Sequence, residues 1–105
     1  MGGTMWDGVQ RLRGWLDAEG QAAAGDVRLL RVLKIGEELG EASEAVTGAL
    51  GANPRKGASH DWSDVEKELS DVIVTAAVAL ATISPDPEEA LDARVRALLE
   101  RLGLD

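Results

Sequence analysis

The chain has no cysteine, no tyrosine and no phenylalanine, and a single histidine, His60. Without cysteine there is no disulfide, no thiol nucleophile and no thiolate for a metal, and the chain suits a reducing compartment. The three aromatic residues are all tryptophan, so the core must come from Leu, Val, Ile and Ala, which favours closely packed helices. Basic residues are scarce: 11 Lys and Arg stand against 19 Asp and Glu, a net charge of −8 and a pI near 4.6. That balance argues against nucleic acid or an anionic membrane as a partner, since both need a basic surface. The longest mainly apolar run, Val72–Ile83, is 12 residues, whereas a bilayer takes about 20. No basic segment leads into an apolar one near the start, so no secretory signal is visible. A soluble cytoplasmic protein is expected. Alternating strand patterns, internal repeats and low-complexity tracts are also missing.

What the 105 residues do contain, at 45% hydrophobic, is enough for one domain, 1–105, organised around residues 34–47. Four carboxylates, Glu37, Glu38, Glu41 and Glu44, fall there in a helix-prone stretch. At roughly 100° per residue, Ile35, Leu39, Ala42, Val46 and Ala49 form one apolar stripe. Glu38 lies about 60° from the centre of that stripe and Glu41 about 120°, while Glu37 and Glu44 point nearly away. An unpaired carboxylate at the edge of a buried face is costly, so Glu38 needs something positive.

A second stretch, Val65 to Ile73, answers the first. Val65, Leu69, Val72, Ile73, Ala76, Leu80 and Ile83 form its expected apolar stripe, and Glu68 and Asp71 are neighbours on one side. Two helices side by side would gather Glu38, Glu41, Glu68 and Asp71 about one point. Carboxylates about 4 Å apart repel by on the order of 4 kcal/mol per pair at an effective dielectric of 20. Such a cluster persists when protonated or when it holds cations. Its ligands are all oxygen, and the Glu-x-x-His pairs of di-iron bundles are missing. Hard oxygen ligands suit Mg²⁺ or Mn²⁺, and Mg²⁺ commonly completes its shell with water and phosphate oxygens.

The pattern Glu37-Glu38-Leu39-Gly40-Glu41, then 26 residues (42–67), then Glu68-Leu69-Ser70-Asp71 resembles the MazG-like, all-α nucleoside triphosphate pyrophosphohydrolases. Lys34, Gly40 and Leu69 to Val72 are also similar to that family, and the resemblance covers about residues 29–83. It implies a Mg²⁺-dependent hydrolase that splits the α–β bond of a (deoxy)nucleoside triphosphate into monophosphate and pyrophosphate, in house-cleaning or nucleotide-pool control. It implies Glu38, Glu41, Glu68 and Asp71 as metal ligands, and Glu37 as the base for water or a ligand of a further metal. Lys34 would reach a phosphate, and a dimer or tetramer would often complete the site. After Asp71 this chain reads Val72 to Val78 with only Thr75 able to hydrogen-bond, where many members carry aromatic or polar residues. That departure keeps a non-catalytic nucleotide- or metal-binding regulator as the alternative, beside a purely structural oligomer.

The remaining segments place these residues. Met5, Val9, Leu12 and Leu16, with Trp15 beside them, predict a helix over about 5–19, with Thr4 and Asp7 as its capping pair. Asp26 is the expected N-cap of a helix over about 27–50. Gly51 to Asp61 reads as a loop carrying Arg55, Lys56 and His60. Arg55 and Lys56 could clamp a triphosphate tail, against a loop that is basic and simply solvated; Trp15 and Trp62 are expected to pack in the core, with Trp62, which flanks the loop, the better candidate of the two for stacking on a base. Ser63 and Glu66 match a capping box for a third helix running to about Ile83. The second half of that helix is apolar all round, with Val74 and Val78 nearly opposite the Leu69 stripe, so the helix is expected to face another subunit as well. Asp86, Pro87 and Glu89 start a fourth helix that Gly103 closes. The expected architecture is an all-α, four-helix bundle-like protomer that assembles as a homo-oligomer.

Overall fold

A computed structural model describes residues 3–19, 26–51 and 57–105. Four helices account for them: α1 Gly3–Ala18, α2 Val27–Ala49, α3 Trp62–Ile83 and α4 Pro87–Leu102. No strand occurs among the described residues. The fold is all-α. No single helix is long and apolar enough to cross a membrane.

Local chemistry sets the helix ends. Asp26 caps α2 by accepting from the Arg28 backbone N–H at 2.9 Å, and the Arg28 guanidinium returns to the same carboxylate at 2.9 Å. That guanidinium is the main reason the Asp26 carboxyl is held down at about 2. The capping box of α3 lies two residues earlier than expected. Asp61 accepts from the Ser63 and Asp64 N–H groups, and Asp64 accepts from the Asp61 N–H at 3.0 Å. The Ser63 hydroxyl donates to Asp61 at 2.6 Å instead of capping. At α4, Asp86 caps, Pro87 stands in the first turn, and Gly103 ends the helix at φ 69. There the Leu104 N–H reaches back to the Leu99 carbonyl at 2.8 Å, a left-handed turn that glycine makes without strain.

α2 and α3 form an antiparallel hairpin. Arg31, near the start of α2, bonds Thr82 near the end of α3, while Gly48 at the far end of α2 meets Ser59 and His60 just ahead of α3. Small residues line this seam on α2: Ala42, Ala45 and Gly48 are all buried. A Cβ on Gly48 would run into the His60 ring and the Ser59 hydroxyl, so the close approach requires glycine. α1 lies across the C-terminal half of α3. Val9, 2% exposed, packs on Ala77, Val78 and Ala81, with Trp6, Leu16 and Val74 at the edge.

The burial of α3 differs from the stripe expected of it. Leu69, Ile73 and Ile83 are about half exposed, whereas Ala77, Val78, Ala79 and Ala81 are buried. Val78 meets α1 of its own chain. The reason is that α3 is apolar on nearly every side, so its own periodicity does not choose a face. Alanine contacts let α2 and α1 approach most closely, and those contacts choose it. α4 turns off α3 with a bend of 113° between their axes. Leu91, Val95 and Leu102 on it are largely exposed. The radius of gyration is 16.6 Å, against about 13 Å for a compact chain of this length, so the four helices do not close into a compact bundle within one chain.

Candidate functional site

Three of the four expected ligands converge. One carboxylate oxygen from each of Glu38, Glu41 and Glu68 lies within 4.8 Å of the others. The hairpin produces this: Glu38 and Glu41 are one turn apart on α2, and Glu68 faces them from α3. The buried face of α2 is turned toward Glu38 from the expected stripe: Ala42 and Ala45 are buried, but Leu39 is 55% exposed. The Glu38 and Glu68 side chains are 15% and 21% exposed, and Glu41 stands at the open side. The Glu68 Oε2 atom is shielded from solvent and has no hydrogen-bond partner among the described residues.

Electrostatics follow from this crowding. The Glu41 carboxyl is pushed above the usual glutamate value, first by the charge of Glu38, then by partial loss of water and by Glu68. Lys34 acts in the opposite sense but weakly, because its ammonium is shared: it donates to Glu37 at 3.3 Å and lies 3.9 Å from Glu38.

The other expected residues divide. Asp71 is one turn beyond Glu68 but outside the three-carboxylate group. Its Oδ2 accepts from Lys67 at 3.0 Å, and Lys67 also reaches Glu68 at 3.4 Å. Two lysines, Lys34 and Lys67, therefore flank the cluster, one on each helix, and both are largely exposed. Glu37 points outward and is held by Lys34. Trp62 is exposed in the first turn of α3, about 9 Å along the helix axis from Glu68 at 1.5 Å per residue. Arg55 and Lys56 lie outside the described residues.

A cleft of about 450 Å³ opens beside the cluster, between α1, α2 and α3. Trp15, Leu12 and Leu30 wall it, and Lys34 stands on its lining as well as against Glu38. Arg31, also on the lining, is only 7% exposed. Its Nη1 forms an ion pair with the Asp17 carboxylate at 2.7 Å and donates to the Thr82 hydroxyl at 3.0 Å. Its Nη2 is shielded from solvent and unpartnered among the described residues. Sequence reasoning passed over Arg31. The available signal was a lone arginine inside the apolar run Leu29, Leu30, Val32, Leu33, where a charge has to find a counter-ion.

Compared with protein-family models, characterised proteins and solved structures, the chain matches none.

Proposed function

We propose that this chain is a MazG-like, Mg²⁺-dependent nucleoside triphosphate pyrophosphohydrolase, hydrolysing a (deoxy)nucleoside triphosphate to monophosphate and pyrophosphate. One observation carries the reading: Glu38, Glu41 and Glu68 converge from two helices with oxygens within 4.8 Å, and one shielded Glu68 oxygen has no partner among the described residues. Like charges held this close cost stability unless a cation or protons offset them. An all-oxygen set with room for water fits Mg²⁺, with Mn²⁺ as a substitute.

In this reading Glu38, Glu41 and Glu68 hold the ion, and Asp71 joins them by exchanging Lys67 for it. When bound, Mg²⁺ neutralises phosphate charge and polarises the phosphoryl oxygens. The chain supplies the rest. Lys34 turns from Glu37 and Glu38 toward the triphosphate, and Arg55 and Lys56 meet its tail as positive charges. Glu37, released from Lys34, accepts the proton of a water whose oxygen bonds to the α-phosphorus. The bond from that phosphorus to the α–β bridging oxygen breaks, and pyrophosphate leaves. Trp62 offers an aromatic face to the substrate. The exposed faces of α3 and α4, with Leu69, Ile73, Leu91 and Val95, bury against a second copy in a dimer or tetramer. The role is house-cleaning or nucleotide-pool control in the cytoplasm.

The test is hydrolysis of a panel of ribo- and deoxynucleoside triphosphates with Mg²⁺ or Mn²⁺, separating monophosphate plus pyrophosphate from diphosphate plus phosphate. Monophosphate and pyrophosphate, with Glu38→Gln reducing turnover at least a hundredfold, are expected. A second reading, a nucleotide- or metal-binding regulator without turnover, draws on the Asp71–Lys67 pair, which ties up the fourth carboxylate. Stabilisation by metal with no product from any triphosphate would establish that reading instead.

A further inference from the structure

Asp71 stands one turn beyond Glu68 yet outside the three-carboxylate group, and Lys67 accounts for that. On the α3 wheel Asp71 lies about 40° from Lys67 and about 60° from Glu68, between the two. Its carboxylate can turn to either side. As arranged it turns to Lys67: Oδ2 accepts from the ammonium at 3.0 Å, while Glu38, Glu41 and Glu68 gather without it. Lys67 also lies 3.4 Å from the Glu68 Oε1 atom. Adjacent residues of a helix do not ordinarily face each other. The lysine chain therefore bends over the α3 surface to touch both carboxylates, at the edge of the cluster.

Packing locks neither partner. The Lys67 side chain is 69% exposed and that of Asp71 44%. A short carboxylate changes direction by turning between staggered positions about one bond. An exposed ion pair contributes little to stability, so Asp71 gives up Lys67 readily when a stronger cation is offered on its other side. The exchange still has a cost, which is the pair that it breaks. It also leaves an ammonium beside a site that has gained positive charge, and the exposed lysine chain is free to carry that charge out into water.

We propose that Lys67 is a built-in competitor of the metal: its ammonium holds Asp71 away from the three glutamates, and Asp71 becomes the fourth ligand only on leaving Lys67. The inference rests on the metal reading of the cluster. It makes Lys67 a positioning residue that acts through Asp71 and sets the concentration of divalent ion at which the site fills. The same ammonium keeps the fourth carboxylate from adding to the repulsion among Glu38, Glu41 and Glu68 when no ion offsets it.

Titration of the full chain with Mn²⁺, reading the free ion from its electron paramagnetic resonance signal, tests this without any substrate. Lys67→Met should bind Mn²⁺ about three- to tenfold more tightly than the wild type. Lys67→Arg keeps the charge and should bind no more tightly than the wild type. The exposure of Lys67 means that both variants should fold. Asp71→Asn should bind more weakly, and adding Lys67→Met to it should change the affinity by less than about twofold, because no carboxylate is left for the lysine to withhold. Unchanged or weaker binding by Lys67→Met would overturn the assignment. So would the same tightening in the Asp71→Asn background, which would reduce Lys67 to a charge acting at a distance. Absence of Mn²⁺ binding in both the wild type and Lys67→Met overturns it together with the metal site. Failure here is separable from failure of the enzyme reading. A chain that splits no triphosphate yet shows this pattern keeps the exchange at Asp71 and loses the hydrolase. One that hydrolyses triphosphates, with Lys67→Met no tighter for Mn²⁺, does the reverse.

Discussion

Two charged groups occupy the same α2–α3 seam and meet opposite fates. Arg31, at the α1 end, is buried and meets a half-exposed counter-ion: Asp17 of α1 comes to 2.7 Å and the Thr82 hydroxyl to 3.0 Å. Glu38, Glu41 and Glu68, toward the other end, meet mainly one another. Among the described residues the nearest cations, Lys34 and Lys67, are at 3.9 Å from Glu38 and 3.4 Å from Glu68, and each is shared with a further carboxylate. The first arrangement ties helices together. The second opposes the packing that creates it, and Glu41 registers this as a raised carboxyl. One end of the seam thus pairs its charge across two helices, and the other crowds like charges between two shared lysines.

The largest effect is expected at Arg31. Asp17→Ala leaves a buried guanidinium without its carboxylate and should cost about 2–3 kcal/mol in urea unfolding, discounted from a fully buried pair because Asp17 is half exposed. Arg31→Met, which removes the charge along with its need for a partner, should cost less than Asp17→Ala. The opposite order would mean that Arg31 is not held by its counter-ion.

Next in size is the seam itself. Gly48→Ala places a methyl against His60 and Ser59 and should cost about 1–2 kcal/mol. By spreading the helices near the cluster, it should also reduce any stabilisation by Mg²⁺. Loss of stability with the Mg²⁺ response intact would separate the two effects.

The carboxylate side is tested by metal. At 10 mM Mg²⁺ and a Kd on the order of 1 mM, the wild type should gain about 1.4 kcal/mol in a thermal melt, and Glu68→Gln should gain nothing. An equal response in both would place any bound ion elsewhere.

Smallest is the response to pH in chelator. The Glu41 carboxyl is raised when folded, so the folded state takes up a proton more readily than the unfolded one. Stability should therefore grow as pH falls from neutral through that raised value, and Glu41→Gln should remove this rise while stabilising the metal-free protein slightly at pH 7. Asp26 has the opposite sign. Its carboxyl sits at about 2 against an ordinary 3.8, so its contribution is present above 3.8 and disappears as pH falls toward 2. Asp26→Asn should flatten only that acid limb.

Much of the site was legible in the chain. The turn-and-edge geometry of α2 follows from helical periodicity, which put Glu38 half inside, Glu41 at the rim and Glu37 outside, as observed. The caps at Asp26 and Asp86 were legible because short polar side chains before a helix have few alternatives. The capping box of α3 was misplaced by two residues because Asp61 and Ser63 both qualify, and the carboxylate, accepting from two N–H groups, wins. The inward face of α3 was not legible, since apolar residues surround its second half and no moment singles out one side. Asp71's engagement by Lys67 was open for the same kind of reason: two acceptors on α3, Glu68 and Asp71, compete for one flexible ammonium.

By itself the sequence determined four helices, their caps, and two pairs of acidic residues three apart on α2 and α3, because these depend on spacing within ten or so residues. Only the tertiary structure decided which faces met. It set the alanine–glycine seam, seated Val78 against Val9, gave Arg31 the carboxylate of Asp17 and joined three glutamates from two helices. Each of those outcomes depends on how near two backbones can come, and that distance is set by the small side chains of both helices together.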